Sequence, residues 1–193
     1  MFLLKQYQEY IFNFEGAVKY AWMKEYYPAQ YEEMKKFIES GRWHISGASW
    51  DATDTLVPSI ESALRNIMLG QDYYRKEFGV ESTDIFLPDC FGFGWTLPAI
   101  ASHCGLIGFS SQKLQWRNKP FYGNDKYPFT VGLWQGIDGS TIMMTHGYDY
   151  NQRFEDGDLS ENKDLLELTG HSPLHMVYRY YGTGDIGGSP TLP

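Results

Sequence analysis

Short apolar runs set between helical stretches constrain this chain more than any other feature of its sequence. Across residues 16–40, Val18, Ala21, Trp22 and Tyr26, then Tyr31, Met34 and Ile38, recur at three- and four-residue spacing. Pro28 should divide this stretch into two helices, and Gly41 should close the second. Residues 43–46 read as a short strand. Ser59 is the expected N-cap, with Glu61 in the first turn, of a helix running to about Phe78 and closed by Gly79. A buried strand at 84–88, a helix at 96–104 closed by Gly105, and a strand at 106–110 follow. Helix and strand thus alternate through the middle of the chain, and this predicts an α/β fold with a parallel sheet. Residues 131–135 and 141–145 flank the turn dipeptide Asp138-Gly139. Residues 151–162 read as loop and 176–181 as a late strand.

A length of 193 residues suits one domain or part of a larger one. With 16 basic and 24 acidic side chains, the net charge of −8 argues against nucleic acid or an anionic membrane as the main partner. The chain has no run of about 18 apolar residues that would cross a bilayer. The opening MFLLKQYQEY has only a short apolar stretch before charge resumes and lacks the pattern of a secretory signal, so localisation stays open. Cys90 and Cys104 form no CxxC pair and no disulfide framework. Aromatic residues reach 17%, enough for sugar- or base-stacking surfaces, although an aromatic core has the same composition.

Three segments carry candidate chemistry. In Leu87-Pro-Asp-Cys-Phe-Gly-Phe-Gly94, Asp89 follows a buried strand and precedes a glycine turn and a helix. Side chains at the carboxyl ends of such strands line active sites, and the N-terminus of the following helix favours an ionised carboxylate. Such a group serves as nucleophile, base or metal ligand, whereas a turn or capping Asp has the same local pattern. In Tyr181-Gly-Thr-Gly-Asp-Ile-Gly-Gly188, the glycines match GxGxxG, a weak signal without a following helix and a later acid. The glycines also suit close backbone approach to a ligand, with Asp185 aimed into a crevice, or simply a flexible turn. In Trp50-Asp-Ala-Thr-Asp54, Trp50 is placed to stack on a sugar and Asp51 or Asp54 to bond its hydroxyls, or else Trp50 is core and the acids are surface. His171 and His175 are four apart, but Pro173 between them argues against a metal pair on one helical face.

Taken in order, the residues resemble glycoside hydrolase family 38, the α-mannosidases. The resemblance runs through Gly16-Ala-Val-Lys-Tyr-Ala-Trp-Met-Lys24, Gly41-Arg-Trp-His44, Ser49-Trp50 with Asp54, and Pro58-Ser-Ile-Glu-Ser62 with Arg65. It continues through Gly70-Gln71, Lys76-Glu-Phe-Gly79, Gln112-Lys113, Trp134 and residues 182–191. Its most specific part is Phe86-Leu-Pro-Asp-Cys-Phe-Gly92, followed by Leu97-Pro98.

The resemblance implies a retaining glycosidase acting on α-mannosides or mannose-containing glycans, with a catalytic zinc in a seven-stranded β/α barrel-like domain. It implies that Asp89 is both nucleophile and zinc ligand, that Phe91 lies beside the bound sugar, and that Lys113 is the basic residue near the nucleophile. Asp185 matches the stretch expected to carry the acid/base, although Ile186 and Ser189 interrupt a glycine run usual in relatives. The family's other zinc ligands come from a His-x-Asp motif before residue 1 and a His after residue 193. Residues 1–193 therefore read as part of one catalytic domain truncated at both ends. Two other functions fit parts of the pattern: a non-catalytic carbohydrate-binding protein using the aromatics, and a nucleotide-dependent oxidoreductase using GxGxxG.

Overall fold

A computed structural model describes residues 1–90, 92–113, 130–146, 159–178 and 180. The elements in chain order are α1 (Phe2–Gln6), β1 (Phe12–Phe14), α2 (Ala17–Tyr26), α3 (Pro28–Glu39), β2 (Trp43–Ile45) and α4 (Ile60–Phe78). Then come β3 (Asp84–Phe86), α5 (Leu97–His103), β4 (Gly108–Ser111), β5 (Val131–Gln135), β6 (Thr141–His146) and α6 (Lys163–His171).

The helix boundaries follow from local chemistry. Pro28 occupies the first turn of α3, where its missing N–H costs nothing, and the Tyr27 N–H closes α2 on the Met23 carbonyl. α3 ends in a Schellman motif. Gly41 sits at φ +73, its N–H reaches the Ile38 carbonyl at 3.0 Å, and the Arg42 N–H reaches the Phe37 carbonyl at 2.9 Å. The Ser59 hydroxyl accepts from the Ser62 N–H to cap α4, and Gly79 closes that helix in the left-handed region.

β1 and β2 pair in parallel, with Phe12 opposite Trp43 and Phe14 opposite Ile45. The second sheet has the order β3-β4-β6-β5. β3, β4 and β6 are parallel neighbours, whereas β5 is antiparallel to β6. The two sheets meet where Asp84 takes two bonds from the segment after β2. Its carbonyl accepts from the Ala48 N–H at 2.8 Å and its carboxylate from the Gly47 N–H at 3.0 Å.

Two apolar clusters hold the helices to these sheets. Ile85, Leu87, Phe109 and Ile142 pack against Ile67 of α4 and Leu97, Ile100 and Ala101 of α5. Trp43 and Ile45 pack against Ala17 and Tyr20 of α2, Tyr31, Met34 and Ile38 of α3, and Tyr74 of α4. α4 therefore serves both clusters, and Gly70 lets its backbone sit directly on the chain after β2. A Cβ there would lie 2.2 Å from the Ala48 carbonyl oxygen.

Several expectations are corrected. The sheet is mixed rather than purely parallel, because residues 136–140 are too short for a parallel crossover and can only turn the chain back. Six strands lie among the described residues, in two sheets. The late strand expected at 176–181 has no ladder in its described part. There the Tyr178 N–H donates to the Thr130 hydroxyl at 2.7 Å, a side-chain partner in place of a neighbouring strand. α1, β1 and α6 were not expected. α6 begins immediately after the polar stretch at 151–162, whose last residue, Asn162, caps it by accepting from the Leu165 N–H at 3.1 Å.

Candidate active site

Asp89 lies just beyond β3, and the parallel pairing continues past the regular strands to reach it. The Leu87 N–H donates to the Ser110 carbonyl at 3.0 Å, and the Gln112 N–H to the Pro88 carbonyl at 3.3 Å. Two adjacent strand ends thereby carry Asp89 and Lys113 side by side. The Lys113 Nζ stands 2.7 Å from the Asp89 Oδ1. The carboxylate side chain is 58% exposed and the lysine side chain only 9%. The lysine is thus held within the fold, and the carboxylate is open to an incoming molecule. α5 does not begin until Leu97, and the positive group set against Asp89 is the Lys113 ammonium.

The loop after Asp89 is pinned by the loop after β2. The Thr55 hydroxyl donates to the Gly92 carbonyl at 2.6 Å, and the Cys90 thiol approaches the Thr53 carbonyl at 3.7 Å. Leu56 fills the space above Gly92, where an added Cβ would come within 2.5 Å of its Cδ1. Asp54 organises this pinning loop from within, its Oδ1 accepting from the Leu56 and Val57 N–H groups at 2.7 and 3.1 Å. The Oδ1 of Asp54 thus holds its own turn.

The Trp50 ring is partly buried. It meets Tyr73 edge-on at 5.8 Å, and its backbone ties α4 to α2 through Asn66 and Val18. Trp50 borders the cluster around β2, whereas Asp89 follows β3. Phe91 and Asp185 lie outside the described residues.

Tyr180, five positions before Asp185 in sequence, is anchored beside the same strand ends. Its hydroxyl hydrogen-bonds the Ser110 hydroxyl, and its ring lies 6.2 Å from that of Phe86. Phe86 and Ser110 alternate with Ile85 and Phe109, so Tyr180 packs on the sheet face opposite α4 and α5. Burial, the largest influence, pushes the Tyr180 phenol well above its ordinary range, so it stays a neutral hydrogen-bonding group. The sequence reading gives Thr55, Ser110 and Tyr180 no role at the site. Only the sequence order of Tyr180, just before the glycine-rich stretch, hinted at any of them.

A separate cavity of about 210 Å³ lies under the loop at 53–58, between the first turns of α4 and α5. Its wall is largely apolar, with Ile67, Ile85, Leu87 and Ile100, and neither Asp89 nor Lys113 lines it. The exposed Asp89 carboxylate, rather than this cavity, is therefore the candidate reaction centre.

Among the described residues no group of three or more His, Cys, Asp or Glu side chains is placed to hold a metal ion. A catalytic zinc needs three protein ligands, so these residues do not make a zinc site. α6 ends at His171, and Pro173 and the positive φ of His175 follow, so those two histidines do not share a helical face. Cys90 and Cys104 are free thiols. No helix among the described residues is long and apolar enough to cross a membrane.

Comparison with known proteins decides the family. The model of the glycosyl hydrolases family 38 N-terminal domain matches residues 1–191. The chain belongs to that family. Alpha-mannosidase G of Dictyostelium discoideum is 37% identical over 194 residues, covering 97% of this chain and 17% of that protein. Human alpha-mannosidase 2C1 is 30% identical over 192 residues, covering 98% of this chain and 18% of that protein. The family 38 chain thus spans less than a fifth of the length of these relatives. The crystal structure of a glycosyl hydrolase family 38 protein from Enterococcus faecalis superposes with a TM-score of 0.68 at 17% identity. It covers 96% of this chain and 20% of that one, and the likeness supports the mixed α/β fold.

Proposed function

We propose that residues 1–193 carry the nucleophile of a retaining α-mannoside hydrolase and act within a longer enzyme. The observation that carries this reading is the pairing of an exposed Asp89 with a sheltered Lys113 at the ends of adjacent parallel strands. A carboxylate open to solvent, with a lysine held against it, has the access and the polar support that attack on an anomeric carbon requires.

In this reading Asp89 attacks the anomeric carbon while the bond to the leaving oxygen breaks, and Asp185 gives that oxygen a proton. Water then attacks the glycosyl ester, Asp185 takes its proton, and Asp89 departs as a carboxylate. The Lys113 side chain gives the Asp89 carboxylate a hydrogen-bond partner at 2.7 Å at both ends of the cycle. Retention requires the two carboxyl groups about 5–5.5 Å apart. The anchoring of Tyr180 beside Phe86 supports such an approach. Asp89 is three residues beyond Phe86, Asp185 is five beyond Tyr180, and five extended residues reach at most about 18 Å. Phe91 is assigned to the sugar side of the same loop.

The zinc implied by the sequence resemblance finds one assigned ligand here, Asp89. Its remaining ligands are assigned to segments outside residues 1–193, and no step above depends on it. Mannose-containing glycans are the proposed substrates. The test is turnover of an aryl α-mannoside by the longer enzyme and its Asp89→Asn variant. Loss of several orders of magnitude supports the reading. Unchanged turnover contradicts it, and glycan binding without any turnover would favour a carbohydrate-binding protein.

A further inference from the structure

We propose that Thr55 is a positioning residue for Asp89, acting through the carbonyl of Gly92. The proposal rests on the reading of Asp89 as the reacting carboxylate.

Asp89 is 58% exposed, and its loop contains glycine at 92 and 94. A reacting carboxylate on such a loop needs external support, because misplacement by about 1 Å costs up to a hundredfold in rate. On one side Lys113 holds the carboxylate itself. On the other, the support comes from the loop after β2. Thr55 gives Gly92 a 2.6 Å hydrogen bond, Thr53 offers its carbonyl to the Cys90 thiol, and Leu56 lies on Gly92 and Gly94. These contacts hold Cys90 and Gly92, one and three positions beyond Asp89 in sequence.

The loop bearing Thr55 has its own internal hydrogen bonds. The Asp54 carboxylate takes two backbone N–H groups of its own turn, at Leu56 and Val57, and so presents Thr55 and Leu56 in fixed directions. Gly92 is the complementary half. Its missing side chain leaves the room that Leu56 occupies. The Thr55 hydroxyl bonds the Gly92 carbonyl and not the Asp89 carboxylate, so its effect belongs on the rate of the chemical step rather than on substrate binding.

The experiment uses the longer enzyme and an aryl α-mannoside. Thr55→Val keeps the branched shape and removes the donor. It should lower kcat about tenfold or more while KM stays within about twofold, and Thr55→Ser should restore most of the loss. A second pair reads the same support without relying on Thr55. Gly92→Ala displaces Leu56, and Leu56→Ala empties the same contact, so their losses in kcat should fail to multiply in the double variant. Thr55→Val with wild-type kcat, a loss that serine does not rescue, or fully multiplicative losses at Gly92 and Leu56 would overturn the proposal. If Thr55→Val does not fold, the Gly92–Leu56 pair decides. Turnover that survives Asp89→Asn would instead remove the underlying functional reading, whatever Thr55 does.

Discussion

Lys113 Nζ stands 2.7 Å from Asp89 Oδ1, and the two residues come from the ends of β4 and β3, 24 positions apart in sequence. Neither loop alone could set that distance. It follows from the parallel register of β3 on β4, carried past the regular strands by the bonds at Leu87 and Gln112. Lys113→Met keeps much of the apolar stem and removes the charge. In the longer enzyme it should lower kcat on an aryl α-mannoside by about a hundredfold, the size of loss seen when one fixed polar stabiliser is removed from a reaction centre. Lys113→Arg should recover part of the rate. Steady-state kinetics of the two variants check this.

A second pairing sets a pH dependence of stability. The Glu77 carboxylate accepts from Lys24 Nζ at 2.7 Å and from the Tyr31 hydroxyl at 2.9 Å, and the Lys24 bond is the larger cause holding its pKa below the ordinary value. A carboxylate depressed on folding stabilises the folded state above its unfolded pKa of about 4.3 and loses that contribution as pH falls through its folded value. Glu77→Gln should therefore lower the melting temperature modestly at neutral pH. The gap between variant and wild type should close as the pH is taken below 4.3, the reference value of a free glutamate. Thermal unfolding across pH measures it, and a gap that is constant with pH would contradict the assignment.

Much of this architecture is legible in the sequence, for local reasons. Pro28, Ser59, Gly41 and Gly79 act on their own backbone, and all four mark helix ends where the sequence places them. Asp89 is legible because it follows a short apolar strand and precedes glycines. What stays hidden depends on distant partners. The three residues of β1 carry too little pattern to announce a strand and exist by pairing with β2. The sequence offers Trp50 as core packing ahead of a stacking platform, and its ring neighbour Tyr73 lies far along the chain on α4. Thr55 is an ordinary loop threonine until Gly92 is seen beside it.

Gly70 and Gly170 offer opposite outcomes for one substitution. Gly70→Ala places a Cβ 2.2 Å from the Ala48 carbonyl oxygen, a backbone atom that cannot move aside. It should destabilise the fold by about 1–3 kcal/mol or more by forcing α4 off the segment after β2. Gly170→Ala, inside α6 with nothing within 4 Å, should be neutral or stabilising by up to about 1 kcal/mol. Denaturant unfolding of both variants in one background compares them directly.

Residues 1–193 expressed alone should bind zinc weakly and be inactive. Asp89 is the single assigned ligand, and the described residues contain no cluster that could complete a site. Elemental analysis of the purified chain, with an aryl α-mannoside assay with and without added zinc, tests this. Stoichiometric zinc together with turnover would show that a complete site lies within these residues.

The most direct measurement is covalent trapping in the longer enzyme. A fluorinated mannosyl donor with a good leaving group should accumulate as a glycosyl ester, and peptide mapping should find the label on Asp89, in the segment Phe86-Leu-Pro-Asp-Cys-Phe-Gly92. Asp89→Asn should take up no label. A label on any other carboxylate, or turnover with no covalent intermediate and inversion at the anomeric carbon, would contradict the assignment of Asp89 as the nucleophile.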